Sequence, residues 1–265
     1  MNILLIGLPF NNIIEAIQRS NLLDKVYIAG TEHLNTVPNI EFKTIPELIQ
    51  KAKALQIDVA INLDNSLISE NICEEFRRNK INLISVNKKW MNLETNRLAT
   101  KQLLNHYTIN NSKILKLPLK FPVVIKTKNS EILADSMQDL THKLEGLEDK
   151  AHIEEFLTGE DFDLLSLWDG KNIYNFNSFP NPTEVQKDRF DLFKTKLSFM
   201  LSDEKADFTG FFTTHLIWAK NDWYVKSFSI GVNSDIDIKS ALAETKTDFL
   251  YILNSAIYQK LNEIR

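Results

Sequence analysis

From residue 2 to about 90, short aliphatic and β-branched runs alternate with amphipathic stretches, and that order leaves few architectures open. Asn2–Gly7, Lys25–Gly30, Asp58–Leu63 and Ile81–Val86 read as buried strands. Between them, Asn11–Arg19, Ile45–Leu55 and Leu67–Lys80 carry apolar residues at helical spacing, as Ile72 and Phe76 do. Such alternation predicts a parallel sheet covered by helices. Thr44-Ile45-Pro46 supplies a capping hydroxyl with proline just inside the helix start, and Asn11 or Asn12 can cap the first helix.

The rest of the chain has a different rhythm. A helix is predicted from about Leu93 to His106, a buried strand with a charged end over Phe121–Lys126, and a short helix over Ser136–Leu144. His152–Leu157, Phe162–Trp168 and Asn172–Asn177 read as strands, the last two joined by the hairpin dipeptide Asp169-Gly170. Phe208–Trp218 and Trp223–Ser229 flank a second hairpin turn at Lys220-Asn221-Asp222, and Lys239–Leu261 reads as a closing helix. Hairpin-paired strands with helices set between them predict an antiparallel α+β unit. The expected division is residues 1–92 and 93–265.

Composition narrows the function. The 31 basic and 35 acidic residues leave a net charge of -4 without a block of like charge. Neither a nucleic-acid footprint nor a patch for anionic membranes is indicated, so small molecules or proteins are the expected partners. The single cysteine, Cys73, can form neither an internal disulfide nor a cysteine-rich zinc site; it reads as packing on an apolar helix face and fits a reducing cytoplasm. The apolar Met1–Gly7 stretch lacks a basic flank and a cleavage site and is too short to span a bilayer. His33, His106, His142, His152 and His215 show no zinc-ligand spacing, and no serine elbow, Walker loop or His-Glu-x-x-His pattern occurs. Glycine is scarce: there are 7 residues, against roughly eighteen at average usage. Loops that wrap phosphate in backbone amides depend on glycine, so a glycine-loop enzyme is disfavoured.

Segment order and wording together resemble phosphoribosylamine–glycine ligase, of the ATP-grasp superfamily. Met1–Gly7 with Leu22–Gly30 is similar to that family's opening strand–helix–strand, and Gln56-Ile57-Asp58 through Arg77 to its third unit. Leu93-Glu94-Thr95-Asn96-Arg97 with Lys101 resembles the helix that opens the ATP-grasp part, and Phe121–Lys126 the strand whose lysine reaches ATP phosphates. Ile153-Glu154-Glu155-Phe156-Leu157-Thr158-Gly159-Glu160-Asp161 is similar to the adenine-side hinge and is the most specific motif. Phe208–Ser229 and Thr247-Asp248-Phe249-Leu250 look like the last hairpin and helix before the family's C-terminal domain, which has no counterpart here. The fold implied is an α/β Rossmann-like pre-ATP-grasp domain followed by a reduced α+β ATP-grasp domain.

The resemblance implies ATP as ligand, with Lys126 and Arg97 toward the phosphates. Backbone groups of Glu155–Leu157 would read adenine, and Glu160 or Asp161 would lie near the ribose. Lys126, Arg97, Glu154, Glu155, Phe156, Leu157 and Asp161 are therefore the candidate nucleotide-binding residues. Blander readings stand beside these: a strand-end lysine reaching water at Lys126, a helix-surface charge at Arg97, and strand-edge charges at Glu154 and Glu155. Departures from the family fall on the chemistry. Gly7 is followed by Leu8-Pro9-Phe10-Asn11-Asn12 in place of a glycine-rich turn, Leu63-Asp64-Asn65-Ser66 replaces a Gly-Pro-Glu segment, and Thr127-Lys128-Asn129-Ser130-Glu131 has no glycine.

The family's Glu-x-Asn pair for Mg²⁺ aligns with Ser227 and Ser229, whose neutral hydroxyls are poor ligands for a hard divalent cation. No Mg²⁺ site is expected unless Asp235 or Asp237 substitutes through a register shift. These departures predict a divergent phosphoribosylamine–glycine ligase-like protein with impaired catalysis and a nucleotide-binding, metabolite-binding or regulatory role. Two alternatives stand: an active ADP-forming carboxylate–amine ligase of purine biosynthesis, and a protein-interaction scaffold with an apolar patch over the former cleft.

Overall fold

The computed structural model describes residues 1–7, 11–30, 37–116, 119–127, 130–147, 151–232 and 246–264. Strands β1 (Asn2–Ile6), β2 (Lys25–Ala29), β3 (Asn39–Ile40), β4 (Val59–Asn62) and β5 (Asn82–Ile84) form one sheet in the order β3-β2-β1-β4-β5. Every pairing in it is parallel, as the alternating pattern predicts. Helices α1 (Asn11–Gln18), α2 (Ile45–Ala54), α3 (Ser66–Ser69) and α4 (Ile72–Arg78) supply the crossovers. Thr44 caps α2 through Glu47 N, with Pro46 in the first turn. The helix expected over Leu67–Lys80 is broken. Asn71 takes a left-handed conformation (φ 64°) between α3 and α4, one that asparagine tolerates better than most residues.

The expected Leu93–His106 helix is also two pieces, α5 (Asn92–Thr95) and α6 (Arg97–His106). Asn96 leaves the helical region and accepts a hydrogen bond from Ala99 N, so that α6 starts afresh at Arg97. Two antiparallel sheets follow. The smaller has the order β7-β6-β8, from β6 (Val123–Lys126), β7 (Glu131–Ala134) and β8 (His152–Glu155), with α7 (Met137–Leu144) between the last two. The larger has the order β10-β9-β11-β12, from β9 (Glu160–Trp168), β10 (Ile173–Asn175), β11 (Gly210–Ala219) and β12 (Asp222–Ile230). Both hairpin turns of the larger sheet fall where expected. Gly170 (φ 93°) serves the first, and Lys220 and Asn221 (φ 52° and 61°) serve the second in the doubly left-handed geometry that suits strand twist.

Strands β3 and β7 and the long helix α8 (Glu184–Asp203) are absent from the sequence reading. A Thr183–Gln186 capping box starts α8, and Phe190, Phe193, Leu197, Met200 and Leu201 line its buried side. They pack with Trp168, Phe212, Trp223 and Phe228 on one face of the larger sheet. The opposite face presents Leu165, Leu167 and Phe211 to Ile3, Leu5 and Ile61 of the parallel sheet and to α9 (Phe249–Ile257). That apolar contact fastens the two parts of the chain together. Of the expected Lys239–Leu261 helix the structure shows α9, which begins only after the Asp248 cap because 246–248 are not helical; residues 239–245 lie outside the described residues, as do Leu8-Pro9-Phe10, Lys128-Asn129, Asp235 and Asp237. Among the described residues no helix is long and apolar enough to cross a membrane.

Candidate functional site

The candidate residues gather between the two antiparallel sheets. Segment 110–115 joins them: Val225 N donates to Asn110 O beside β12, while Leu115 N donates to Ile153 O beside β8. Helix α6 lies against this joint with Arg97 and Lys101 four residues apart, on one face of the helix. Strands β6 and β8 contribute Lys126 and Glu154, and β7 contributes Glu131.

Glu154 is the centre of the cluster and is 0% exposed. Lys101 Nζ stands 3.1 Å from its Oε1 and Lys126 Nζ 3.7 Å from its Oε2. His152 Nε2 lies 2.7 Å from Oε1, and Ser112 Oγ donates to Oε2. Lys101 also donates to Ser112 O at 2.6 Å, which ties α6 to the joint. Burial alone would push the Glu154 carboxyl up. The His152 hydrogen bond, the charges of Lys126 and Lys101 and the Ser112 hydroxyl outweigh it and hold the group at about 2. For Lys101 burial wins, and its ammonium is held below the ordinary lysine range despite Glu154.

Lys126 is 4% exposed and therefore not a strand-end lysine reaching water. Its Nζ forms a 2.7 Å ion pair with Glu131 and a 3.5 Å contact to Lys226 O. Arg97 is likewise not a free surface charge, because its Nη1 lies 3.4 Å from the same Glu131 carboxylate. Glu154 is no strand-edge charge either. Alternation along β8 turns Glu155 the other way, where it accepts from Lys113 N at 3.0 Å and pairs with Lys220 at 2.5 Å. Phe156 is 38% exposed, Leu157 is half-buried, Glu160 is exposed, and Asp161 pairs with Lys226 at 3.0 Å. Gly159 sits where the hinge runs against β11: a Cβ there would lie 1.8 Å from Trp218 O.

Ser227 and Ser229 stand on β12 on the face turned away from α8. An irregularity in the β11–β12 register leaves Lys226 without a cross-strand residue on β11, so that Val225 and Phe228 both point into the α8 core. Ser229 Oγ lies 2.7 Å from His215 Nε2, and His215 Nδ1 lies 2.6 Å from Asp163 Oδ1. Ser229 is thus bonded to an imidazole that carries one carboxylate, and Glu94, which accepts from Ile230 N at 2.8 Å, adds a second carboxylate beside this strand. Among the described residues no group of three His, Cys, Asp or Glu side chains converges as a metal site. The serine pair does not fit a divalent cation in the way a carboxylate–amide pair would. The sequence reading missed Ser112, Glu131, His152, Asp163 and His215, all of which bond to or stand beside the candidate residues.

A Rossmann-like sheet followed by a small and a larger antiparallel sheet that enclose buried lysines is the ATP-grasp fold. D-alanine–D-alanine ligase from Bacillus anthracis, solved in complex with ATP, superposes with a TM-score of 0.63 at 16% identity, over 99% of this chain and 98% of that one. Phosphoribosylamine–glycine ligase from Thermotoga maritima superposes with a TM-score of 0.68 at 15% identity, over 100% of this chain and 76% of that one. In sequence the chain is similar to the phosphoribosylamine–glycine ligase of Fusobacterium nucleatum, with 23% identity over 94% of this chain and 71% of the relative. The resemblance drawn from the residues is therefore found again by sequence and by structure. No protein-family model matches the chain.

Proposed function

We propose that this chain is a phosphoribosylamine–glycine ligase-like ATP-grasp protein that binds an adenine nucleotide between its two antiparallel sheets without activating a carboxylate. Its role is then binding or regulation, through the nucleotide, a phosphorylated metabolite or a protein partner. The observation that carries this reading is the Ser229–His215–Asp163 network, which engages one of the two positions where the family resemblance implies metal ligands. Acyl-phosphate formation needs the developing charge on the phosphoryl oxygens neutralised, and a metal ion is the usual means. Backbone atoms of Glu155–Leu157 would read the adenine, Asp161 would lie near the ribose, and Lys126 with Arg97 would face the phosphates.

A second reading, an active ADP-forming carboxylate–amine ligase, is favoured by the two buried lysines, Lys101 and Lys126, around Glu154. Titration calorimetry with AMP, ADP and ATP, with and without Mg²⁺, separates the two. The proposed reading expects nucleotide binding that is indifferent to Mg²⁺ and weakened about tenfold in Lys126→Ala, the scale of one charge-assisted contact. Mg²⁺-dependent binding, together with ATP-dependent joining of glycine to phosphoribosylamine by the pure protein, would establish the ligase instead.

A further inference from the structure

Among the described residues, the cations that point toward the phosphate end of the proposed cleft each hold a carboxylate. Glu131 lies 2.7 Å from Lys126 and 3.4 Å from Arg97, while Glu154 lies 3.1 Å from Lys101 and 3.7 Å from Lys126. Among the described residues of this cluster three cations thus face two carboxylates, an excess of one positive charge. Lys226, which borders the same space, is engaged by Asp161.

The two carboxylates differ in origin. Glu154 belongs to the hinge motif, whereas Glu131 arrives by a short return of the chain. Lys126 and Glu131 are cross-strand partners at the end of the β6–β7 hairpin. The four-residue connection is closed by Thr127 N donating to Ser130 O at 3.0 Å and Ser130 N donating to Thr127 Oγ1 at 3.0 Å. The hairpin thus sets the Glu131 backbone directly opposite Lys126, and its ion pairs with Lys126 and Arg97 hold the carboxylate there. Burial would raise its carboxyl, but the Lys126 hydrogen bond and the charges of Lys126 and Arg97 hold it below the usual range, so it stays ionised at neutral pH.

An anion within ion-pair distance of both phosphate-facing cations does electrostatically what a bound phosphate would do. A triphosphate tail entering this space meets cations already paired with carboxylates, a surplus of only one positive charge, and a like charge 2.7 Å from Lys126.

Resting on the proposed nucleotide cleft, we infer that Glu131 is a specificity-determining residue and that the cleft takes an adenine ligand of low charge, a nucleoside or nucleoside monophosphate, in preference to a triphosphate. Glu131 excludes the polyphosphate tail by charge and leaves the adenine side untouched.

Calorimetric titration of the full chain with adenosine, AMP, ADP and ATP tests this, on the parent protein, Glu131→Gln and Glu131→Ala. The parent is expected to bind AMP at least as tightly as ATP. Glu131→Gln is expected to gain about tenfold or more in ATP affinity, the effect of lifting one close like charge, with adenosine affinity unchanged. Glu131→Ala, which also removes the hydrogen-bonding carboxyl, should move ATP affinity the same way. A parent that prefers ATP to AMP by about tenfold and is indifferent to both substitutions would overturn the inference. Failure of all four compounds to bind any of the three proteins would instead overturn the nucleotide cleft, and the charge rule with it.

Discussion

Glu154→Gln is expected to destabilise the fold by about 3–5 kcal/mol, the usual cost of removing one partner from a buried ion pair. Lys101 would keep Ser112 but lose its counter-charge inside a site that already disfavours its ammonium. The acid limb of the stability curve carries a second signature. In the folded protein Glu154 titrates at about 2, against an ordinary value of 4.5. A depressed carboxyl contributes stability that is complete above the unfolded value and is lost as the pH falls from 4.5 toward 2. Parent and variant should therefore differ most near neutrality and converge toward pH 2. Urea midpoints measured from pH 7 down to 3 check this. Glu154→Gln/Lys101→Met should recover much of the loss, since a neutral pair leaves no charge unpaired. Equal midpoints for parent and Glu154→Gln at neutral pH would show that the cluster contributes nothing net.

The parallel alternation and the two hairpins of the larger sheet were legible because period-two patterning and turn residues act locally, whereas the pairing of β9 with β11 and the strand β7 were not. Nor were the helix breaks. Asn71 and Asn96 interrupt otherwise continuous apolar spacing through backbone conformations that asparagine permits but does not announce. Helix α8 did leave a signal, since Thr183 and Gln186 have the spacing of a capping box ahead of an apolar stripe.

At the site, the motif located Lys126 and the hinge, but a motif says nothing of what its side chains are bonded to. Glu131 lies five residues past Lys126 in a stretch whose lack of glycine reads as a missing phosphate cover. Thr127 and Ser130 bond to each other across the end of the β6–β7 hairpin, whose register brings an acidic side chain back onto the lysine. His152 and His215 lack ligand spacing along the chain because their partners are cross-strand or next-but-one neighbours in sheets, Glu154 for the first and Asp163 and Ser229 for the second. Pairing register, which linear spacing does not encode, decides such contacts.

Gly159→Ala is expected to cost about 3 kcal/mol, the upper part of the range for forcing extra volume into a packed site. Its φ lies outside the left-handed region, so the position needs not conformational freedom but the absence of a side chain. The atoms a Cβ would meet are backbone: Trp218 O at 1.8 Å and Trp218 C at 2.8 Å. Trp218 belongs to β11, an inner strand of the larger sheet, and pairs in register with Glu160. It cannot yield without opening the β9–β11 ladder. Either that end of the ladder opens or the hinge backbone over Phe156–Gly159 moves, and both displace the groups proposed to read the adenine. Glu160→Ala, next in sequence and exposed, is the control and should stay within about 0.5 kcal/mol of the parent. Urea midpoints give the cost, and amide hydrogen exchange over Glu155–Asp161 and Ile217–Trp218 locates it. Faster exchange confined to these two segments, with the α8 core protected as before, is the expected pattern. An unchanged midpoint with parent-like exchange would mean that hinge and strand are not held in contact, and the hinge would then lose its claim to be a rigid wall of the cleft.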